Sequence, residues 1–153
     1  MAVDFEAIRN VIISHALASG YFEWVSGHEP KSKPPNGLTA AVLLGETDTL
    51  PDASGMATVS IRQEFILRIH INMLAEPQDD IDTRHVGAAL NSMLTALIGD
   101  FTLGGQVREV DLLGAHGQRL RARPGYLNIS GTMFRINDLL IPCVVNDAFT
   151  QAA

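Results

Sequence analysis

The stretch from Thr58 to Leu74 alternates between apolar and polar side chains over a length that constrains the whole fold. Every second residue would point to one side, and nearly all of these residues are apolar: Val59, Ile61, Gln63, Phe65, Leu67, Ile69, Ile71 and Met73. Most of the residues between them are polar. A period of two is that of a β-strand, so we expect one long strand with one face buried and the other face in solvent.

The length of this strand also bears on assembly. At roughly 3.3 Å per residue, the strand would extend for about 55 Å. A single domain of this size is only about 30 Å across by the usual scaling of compact chains. We therefore expect that the strand bends within the domain or that one end projects as an arm. A projecting arm would be best explained by another subunit that covers it.

The composition indicates one globular domain spanning residues 1–153, because 46% of the residues are hydrophobic and 18% are charged. No apolar run approaches the ~20 residues of a membrane span, and the first residues lack the pattern of a secretory signal. The single cysteine, Cys143, excludes an internal disulfide and fits a reducing compartment. The net charge of −6 argues against a dedicated nucleic-acid-binding protein.

The order of elements predicts an α+β fold, with two α-helices packed on one face of an antiparallel or mixed β-sheet. The first helix would follow a capping Asp4 and end at Gly20. A short strand at Leu38–Leu44 and an acidic, turn-rich loop at Gly45–Gly55 would lead into the long strand as a hairpin. The second helix would begin at an aspartate cap and end at Gly99.

Two strands near the end of the chain would close the sheet. Tyr126–Ile136 and Leu139–Val145 are separated by Asn137 and Asp138, which tolerate the backbone conformation of a two-residue hairpin turn. Pro142 has no amide donor, so we expect its strand to lie at a sheet edge or to contain a bulge.

The sequence offers no motif for catalysis or for a cofactor. No glycine-rich phosphate loop follows a strand, no serine has a nucleophile-elbow pattern, and the five histidines lack metal-ligand spacing. One charged cluster lies on the outer face of the long strand: Arg62, Glu64, Arg68 and His70. A row on a strand face favours solvation or a polar subunit interface, with acid–base chemistry in a pocket as the alternative. We therefore expect no enzyme activity, no metal and no cofactor.

Two further charged groups stand out. Arg119, Arg121 and Arg123 recur at every second position and would project from one face of a strand. Three interpretations are open: a solvated face, a contact with acidic loops of a neighbouring subunit, or phosphate contact, which the net charge disfavours. The acidic loop carries the second group: Glu46, Asp48 and Asp52. Its spacing lacks a recognised calcium-loop pattern, which favours a solvated loop.

Four segments of the chain carry a resemblance to a known family. They are the first helix DFEAIRNVIISHAL, the long strand SIRQEFILRIHINMLAEP, the second helix DDIDTRHVGAALNSMLTALIGD and the closing segment FRINDLLIPCVVND. In their order and in their pattern of residue types they resemble the tail terminator (tail completion) proteins of long-tailed bacteriophages, and the likeness spans nearly the whole chain.

This resemblance implies a structural role in a virion. Such proteins form a six-membered ring that caps the tail tube, ends tube polymerisation and presents a surface to head-completion proteins. The implied partners are further copies of the chain, the tail tube protein and a head-completion protein, while DNA only passes through the lumen. The implied location is the head-proximal end of the tail, after assembly in the host cytoplasm and without a membrane.

A ring built head to tail uses two different patches of each subunit. We hypothesise that a basic and an acidic patch meet across the subunit interface: Arg119, Arg121 and Arg123 against Glu46, Asp48 and Asp52. A second hypothesis is that the negative net charge keeps the lumen from gripping DNA. The alternatives are another head–tail connector, a tube subunit, or a small ligand-binding α+β domain.

Overall fold

The computed structural model describes residues 3–28, 30, 34, 37–51, 54–55, 57–74 and 81–150, and it has the predicted α+β fold. Two helices pack on one face of a mixed β-sheet. The elements in chain order are α1 (Phe5–Ser19), β1 (Trp24–Ser26), β2 (Thr39–Leu50), β3 (Thr58–Asn72), α2 (Gly87–Gly99), β4 (Glu109–Val110), β5 (Arg121–Ile129) and β6 (Thr132–Thr150). A π-helical turn at Ile81–Val86 leads directly into α2.

The sheet is built around β3 and β6, which pair along almost their whole lengths. Among the described residues the strand order is β1-β2-β3-β6, and both β4 and β5 pair with the other side of β6. β1 runs parallel to β2, and every other pair is antiparallel. β2 and β5 therefore lie on opposite sides of the central pair.

Both ends of the first helix are as predicted. The side chain of Asp4 accepts a hydrogen bond from the amide of Ala7 at 3.0 Å, which satisfies one of the free donors of the first turn. Gly20 ends α1 with φ of 75°, a left-handed conformation that glycine adopts without steric cost. One face of the helix is buried in the core: Ile8, Ile12 and Ala16.

The start of the second helix differs from the prediction of an aspartate cap. The α-helical part begins at Gly87, with Val86 in the capping position and no side-chain hydrogen bond to the helix end. The preceding π-helical turn supplies the entry instead, and a Cβ atom on Gly87 would lie only 3.1 Å from the carbonyl oxygen of Asp82. The helix ends at Gly99 as predicted and buries three apolar side chains: Ala89, Met93 and Leu97.

The hydrophobic core lies between the two helices and one face of the sheet. Four apolar positions of β3 point into it as predicted, and they are at most 3% exposed: Phe65, Leu67, Ile69 and Ile71. Removing each such side chain from water contributes roughly 1.5–3 kcal/mol. The helix-covered face therefore supplies most of the hydrophobic stabilisation of the fold.

Much of the opposite face of β3 is shielded from solvent, so the prediction of a solvent-exposed face is wrong for several of its residues. Four of its polar side chains are at most 7% exposed: Ser60, Arg62, His70 and Asn72. The loop between β4 and β5 contacts Arg62, and the ring of Phe134 packs edge-on against His70. A polar side chain indicates a preference for water, but packing by distant residues decides whether water reaches it.

The predicted turn at Asn137 and Asp138 is also wrong, because both residues lie inside the continuous strand β6. Asp138 is opposite Arg68 of β3, and the two side chains form an ion pair that suits a strand. The hairpin turn falls at Ser130 and Gly131, whose φ values of 51° and 81° are those of the two-residue turns that join antiparallel strands.

Pro142 lies in a central strand and not at an edge. Its carbonyl oxygen accepts a hydrogen bond from the amide of Asp111 at 2.8 Å, on the side of β6 that faces β4 and β5. In an antiparallel strand the N–H and C=O of one residue point to the same side. The missing donor of Pro142 therefore faces the gap between the last β5 partner, Leu140, and the first β4 partner, Cys143.

The segment Gly45–Gly55 is only partly a loop, because β2 continues to Leu50 through a bulge between Leu44 and Thr47. The bulge explains the glycine, since a Cβ atom on Gly45 would lie 3.0 Å from the carbonyl oxygen of Glu64. Glu46 and Asp48 are therefore fixed on a strand, while Asp52 lies outside the described residues.

Candidate functional site, a charged cleft beside two open strand edges

A cleft of about 700 Å³ lies on the sheet face opposite the helices. Its walls come from β2, β3, β5 and the loop that joins β4 to β5. We call it the charged cleft, after the side chains of both signs that line it: Glu46, Asp48, Arg62, Glu64, Arg121 and Arg123. Six of the ten site residues predicted from the sequence thus lie together, although the sequence did not indicate that they share one cleft.

Arg62 anchors the floor of the charged cleft and is only 6% exposed. Its Nη2 donates to the backbone carbonyl of Gln118, and its Nε lies 3.7 Å from the carboxylate of Asp111. That carboxylate also accepts from the backbone amides of Ala115 and His116, at 2.7 and 2.9 Å. One buried pair of opposite charges therefore holds the β4–β5 loop against the sheet.

The acidic and basic walls of the charged cleft face each other without touching. Arg121 donates from Nη1 to the side chain of Gln118 at 2.6 Å, and its Nε has no hydrogen-bond partner in the described part of the chain. No ion pair joins Glu46, Asp48 or Glu64 to an arginine of the cleft within that part of the chain. These charges are available to side chains from outside the chain.

Three further predicted site residues lie outside the charged cleft: Arg68, His70 and Arg119. Arg68 forms two hydrogen bonds with Asp138, at 2.8 and 3.1 Å, farther along the same face of β3. Arg119 is exposed and does not line the charged cleft. The cluster predicted on the long strand is therefore divided, with Arg62 and Glu64 in the cleft and Arg68 beside the buried His70.

His70 is fully buried, and neither of its ring nitrogens has a hydrogen-bond partner among the described residues. Burial, and after it the positive charge of Arg68, lower the pKa of His70 to about 4, while Asp138 acts in the opposite direction. His70 is therefore neutral at pH 7. Its cross-strand neighbour Thr39 is equally buried, and its hydroxyl also lacks a partner among the described residues.

Two open strand edges flank the charged cleft. β1 pairs only with Thr39–Ala41, so the outer side of β2 from Val42 to Leu50 has no strand partner in the described ranges. β5 pairs with β6 alone, and its outer side is open in the same sense. Counted from the Ser130–Gly131 turn, hydrogen-bonded and non-hydrogen-bonded residue pairs alternate along β5 and β6. Pro124 belongs to a non-hydrogen-bonded pair, so its ring nitrogen points away from β6. Its missing N–H donor therefore costs no hydrogen bond between the two strands.

A small groove borders the open edge of β2 on its helix side. It has a volume of about 220 Å³ and lies between α1 and the strand, with Phe5, Val42, Leu44 and Phe65 in its lining. Leu44 is 58% exposed, which is unusual for a leucine in a strand. The same edge thus offers apolar contacts on one face and acidic side chains on the other.

The described residues contain no group of three or more His, Cys, Asp or Glu side chains arranged to hold a metal ion. Cys143 is buried, and burial raises the pKa of its thiol to about 12, so it is not a nucleophile at neutral pH. No helix in the described part of the chain has the length and apolar character needed to cross a membrane.

Comparison with known proteins adds little. No protein-family model and no curated protein sequence matches the chain. Among solved structures, the chain is similar to a component of a particle described as "Virion of native gene transfer agent (GTA) particle". The two share 14% identity with a TM-score of 0.38, over 89% of this chain and 92% of the other. A likeness of this degree defines neither a family nor a function.

Proposed function

We propose that this chain is a virion structural protein of the tail terminator type. In this role it forms a ring that caps the tail tube, ends tube polymerisation and joins the tail to a head-completion protein. The proposal begins from the sequence resemblance to that family, and the predicted arrangement of two helices on one face of a mixed sheet agrees with it.

One structural observation carries the proposal: two open strand edges lie on opposite sides of one sheet. Two different patches on opposite sides of a subunit are what a head-to-tail ring requires, whereas a two-fold dimer uses the same patch twice. Open edges invite pairing with another chain unless they are blocked.

The remaining features of the role follow from the ring. The partners would be the tail tube protein on one ring face and a head-completion protein on the other, with DNA passing through the lumen. The protein would reside at the head-proximal end of the tail and assemble in the host cytoplasm. It would need no catalytic group, and the negative net charge would limit contacts with DNA in transit.

The proposal is tested by the native mass of the purified protein and by its effect on tail tubes. We expect light scattering at several concentrations to give one species of six times the 16.5 kDa subunit mass, with rings in negative stain. Added to growing tubes, the protein should stop elongation at one end. A tube subunit would instead polymerise by itself. A dimer that leaves tube growth unchanged would refute the proposal.

A further inference from the structure

We propose that β5 of one copy adds as an antiparallel strand to the open outer edge of β2 in the next copy, so that the sheet continues from subunit to subunit. This inference rests on the proposed ring, and it names the two surfaces that meet. It goes beyond a contact between charged patches, because the backbone itself forms the junction.

The strand directions allow this junction. β2 is antiparallel to β3, β3 to β6, and β6 to β5, so β5 runs opposite to β2 within one chain. A rotation axis along the strands preserves these directions in every copy. The β5 of a neighbour therefore reaches β2 in the antiparallel sense, and the face that carries the charged cleft stays on the same side throughout the ring.

The charges match in one register. Asp48 and Glu46 of β2 and Arg121 and Arg123 of β5 line the same cleft, and each pair is two residues apart. With Asp48 opposite Arg121 of the next copy, Glu46 lies opposite Arg123 of that copy. Directly opposed side chains on one face are about 5 Å apart, which is a favourable distance for opposite charges. Within one copy the same groups occupy opposite walls of the charged cleft.

The other face of the junction carries no charge. Between the arginines, Leu120 and Ala122 point to the helix side, where they pack partly against the core of their own chain. In the register set by the charges, Ala122 of the next copy lies opposite Thr47 and Leu120 lies opposite Thr49, so these side chains meet uncharged threonines and not the acidic residues of β2. The alternation of basic and uncharged residues in Arg119–Arg123 thus matches the alternation of acidic and uncharged residues in Glu46–Thr49.

Pro124 sets the extent of the pairing. Its nitrogen faces the outer side of β5 and cannot donate to an added strand. The segment before it, Arg119–Arg123, therefore forms most of the junction, opposite Glu46–Leu50 of the neighbour. Each junction of this kind is short, so the ring is held together by several weak contacts. Pro124 prevents the added strand from pairing along the rest of β5.

Engineered cysteines test the register. Thr47→Cys combined with Ala122→Cys places two thiols opposite each other across the proposed junction. Within one chain these positions lie three strands apart, about 14 Å, which is too far for a disulfide. The native Cys143 is buried and does not compete. Mild oxidation of the assembled double variant should give a ladder of covalent oligomers on denaturing gels.

Two controls define the outcome. Each single-cysteine variant should give no ladder, and Thr49→Cys with Ala122→Cys, which is out of register by two residues, should cross-link at least tenfold less. A ring by light scattering without any ladder would refute the strand addition and leave the proposed function standing. If the unmodified protein neither forms a ring nor caps tail tubes, the proposed function itself is refuted.

A charge exchange provides independent evidence. Asp48→Arg alone and Arg121→Asp alone should each weaken ring formation by about tenfold, because each replaces an attraction with a repulsion in both neighbouring contacts. The double variant restores opposite charges and should recover assembly to within a few fold. Equal assembly of all four proteins, each with an unchanged circular dichroism spectrum, would contradict the proposed pairing.

Discussion

The two faces of β3 differ in what their buried side chains contact. On the helix-covered face, apolar residues such as Leu67 and Ile69 contact other apolar residues, and these contacts do not depend on any charge. On the opposite face, Arg62 depends on a carboxylate and a carbonyl group, and His70 is buried without a hydrogen bond among the described residues. Similar burial is thus reached by two different kinds of packing.

The two kinds of packing should respond differently to pH, to salt and to the loss of a single partner. The helix-covered face should contribute stability that varies little with pH or salt, because burial of apolar surface involves no ionisation. The opposite face should respond to pH and to the loss of one partner, because buried charges and polar groups are costly when left alone. It is also the face that carries the charged cleft and the charged side chains of the proposed junction.

The largest effect is expected from a cavity under the helices. Leu67→Ala should lower the free energy of unfolding by about 4 kcal/mol, since the side chain is fully buried in the core. The neighbouring Ile66, which is partly exposed on the opposite face, is the matched control, and Ile66→Ala should cost roughly 1 kcal/mol. Urea unfolding followed by circular dichroism measures both. Equal losses would show that the two faces are not packed differently.

An acid-dependent effect is expected from His70. Its pKa is about 4 in the folded chain and 6.5 as a model value, so folding favours the neutral ring. The stability it supports is complete above pH 6.5 and falls as the pH drops from 6.5 towards 4, by about 3 kcal/mol in all.

The matched variant is His70→Leu, which is apolar and cannot ionise. Unfolding free energies of both proteins should be measured in steps from pH 7 to pH 4, and their difference isolates His70 from the carboxylates that also titrate. The variant should lose less stability across this range. Parallel curves would mean that His70 is protonated as easily in the folded chain as in the unfolded one.

Local signals made some elements predictable from the sequence. Asp4 and Gly20 act through backbone geometry within a few residues, so both ends of α1 were correct. The alternation in β3 gave the correct register for its helix-covered face. The turn at Asn137 and Asp138 failed because the competing strand is stabilised by Arg68, which is 70 residues away from Asp138 in the chain.

Six of the ten residues predicted from the sequence line the charged cleft, but their arrangement was not predictable. Alternation identified the arginines near Arg121, and composition identified the acids near Asp48. Their meeting in one cleft depends on the pairing of β5 with β6, which no local pattern specifies. The role of Asp111 was missed for the same reason, since its partner Arg62 lies far away in the chain.

The smallest effect is expected from Asp111→Asn, which tests whether one charge holds the β4–β5 loop. Asparagine keeps one acceptor for the amides of Ala115 and His116 but loses the attraction to Arg62. We expect the free energy of unfolding to fall by about 2 kcal/mol, because both partners are at most 7% exposed and the remaining guanidinium lacks its counter-charge.

A double-mutant cycle with Arg62→Met separates the energy of the Asp111–Arg62 pair from the other contacts of the two residues. In the Arg62→Met background, Asp111→Asn should cost clearly less, and hydrogen exchange at the amide of His116 should accelerate in both single variants. If the effects of the two substitutions on the free energy of unfolding simply add, the Asp111 carboxylate acts only through its hydrogen bonds to the loop amides. The buried ion pair with Arg62 would then contribute nothing to the stability of this face.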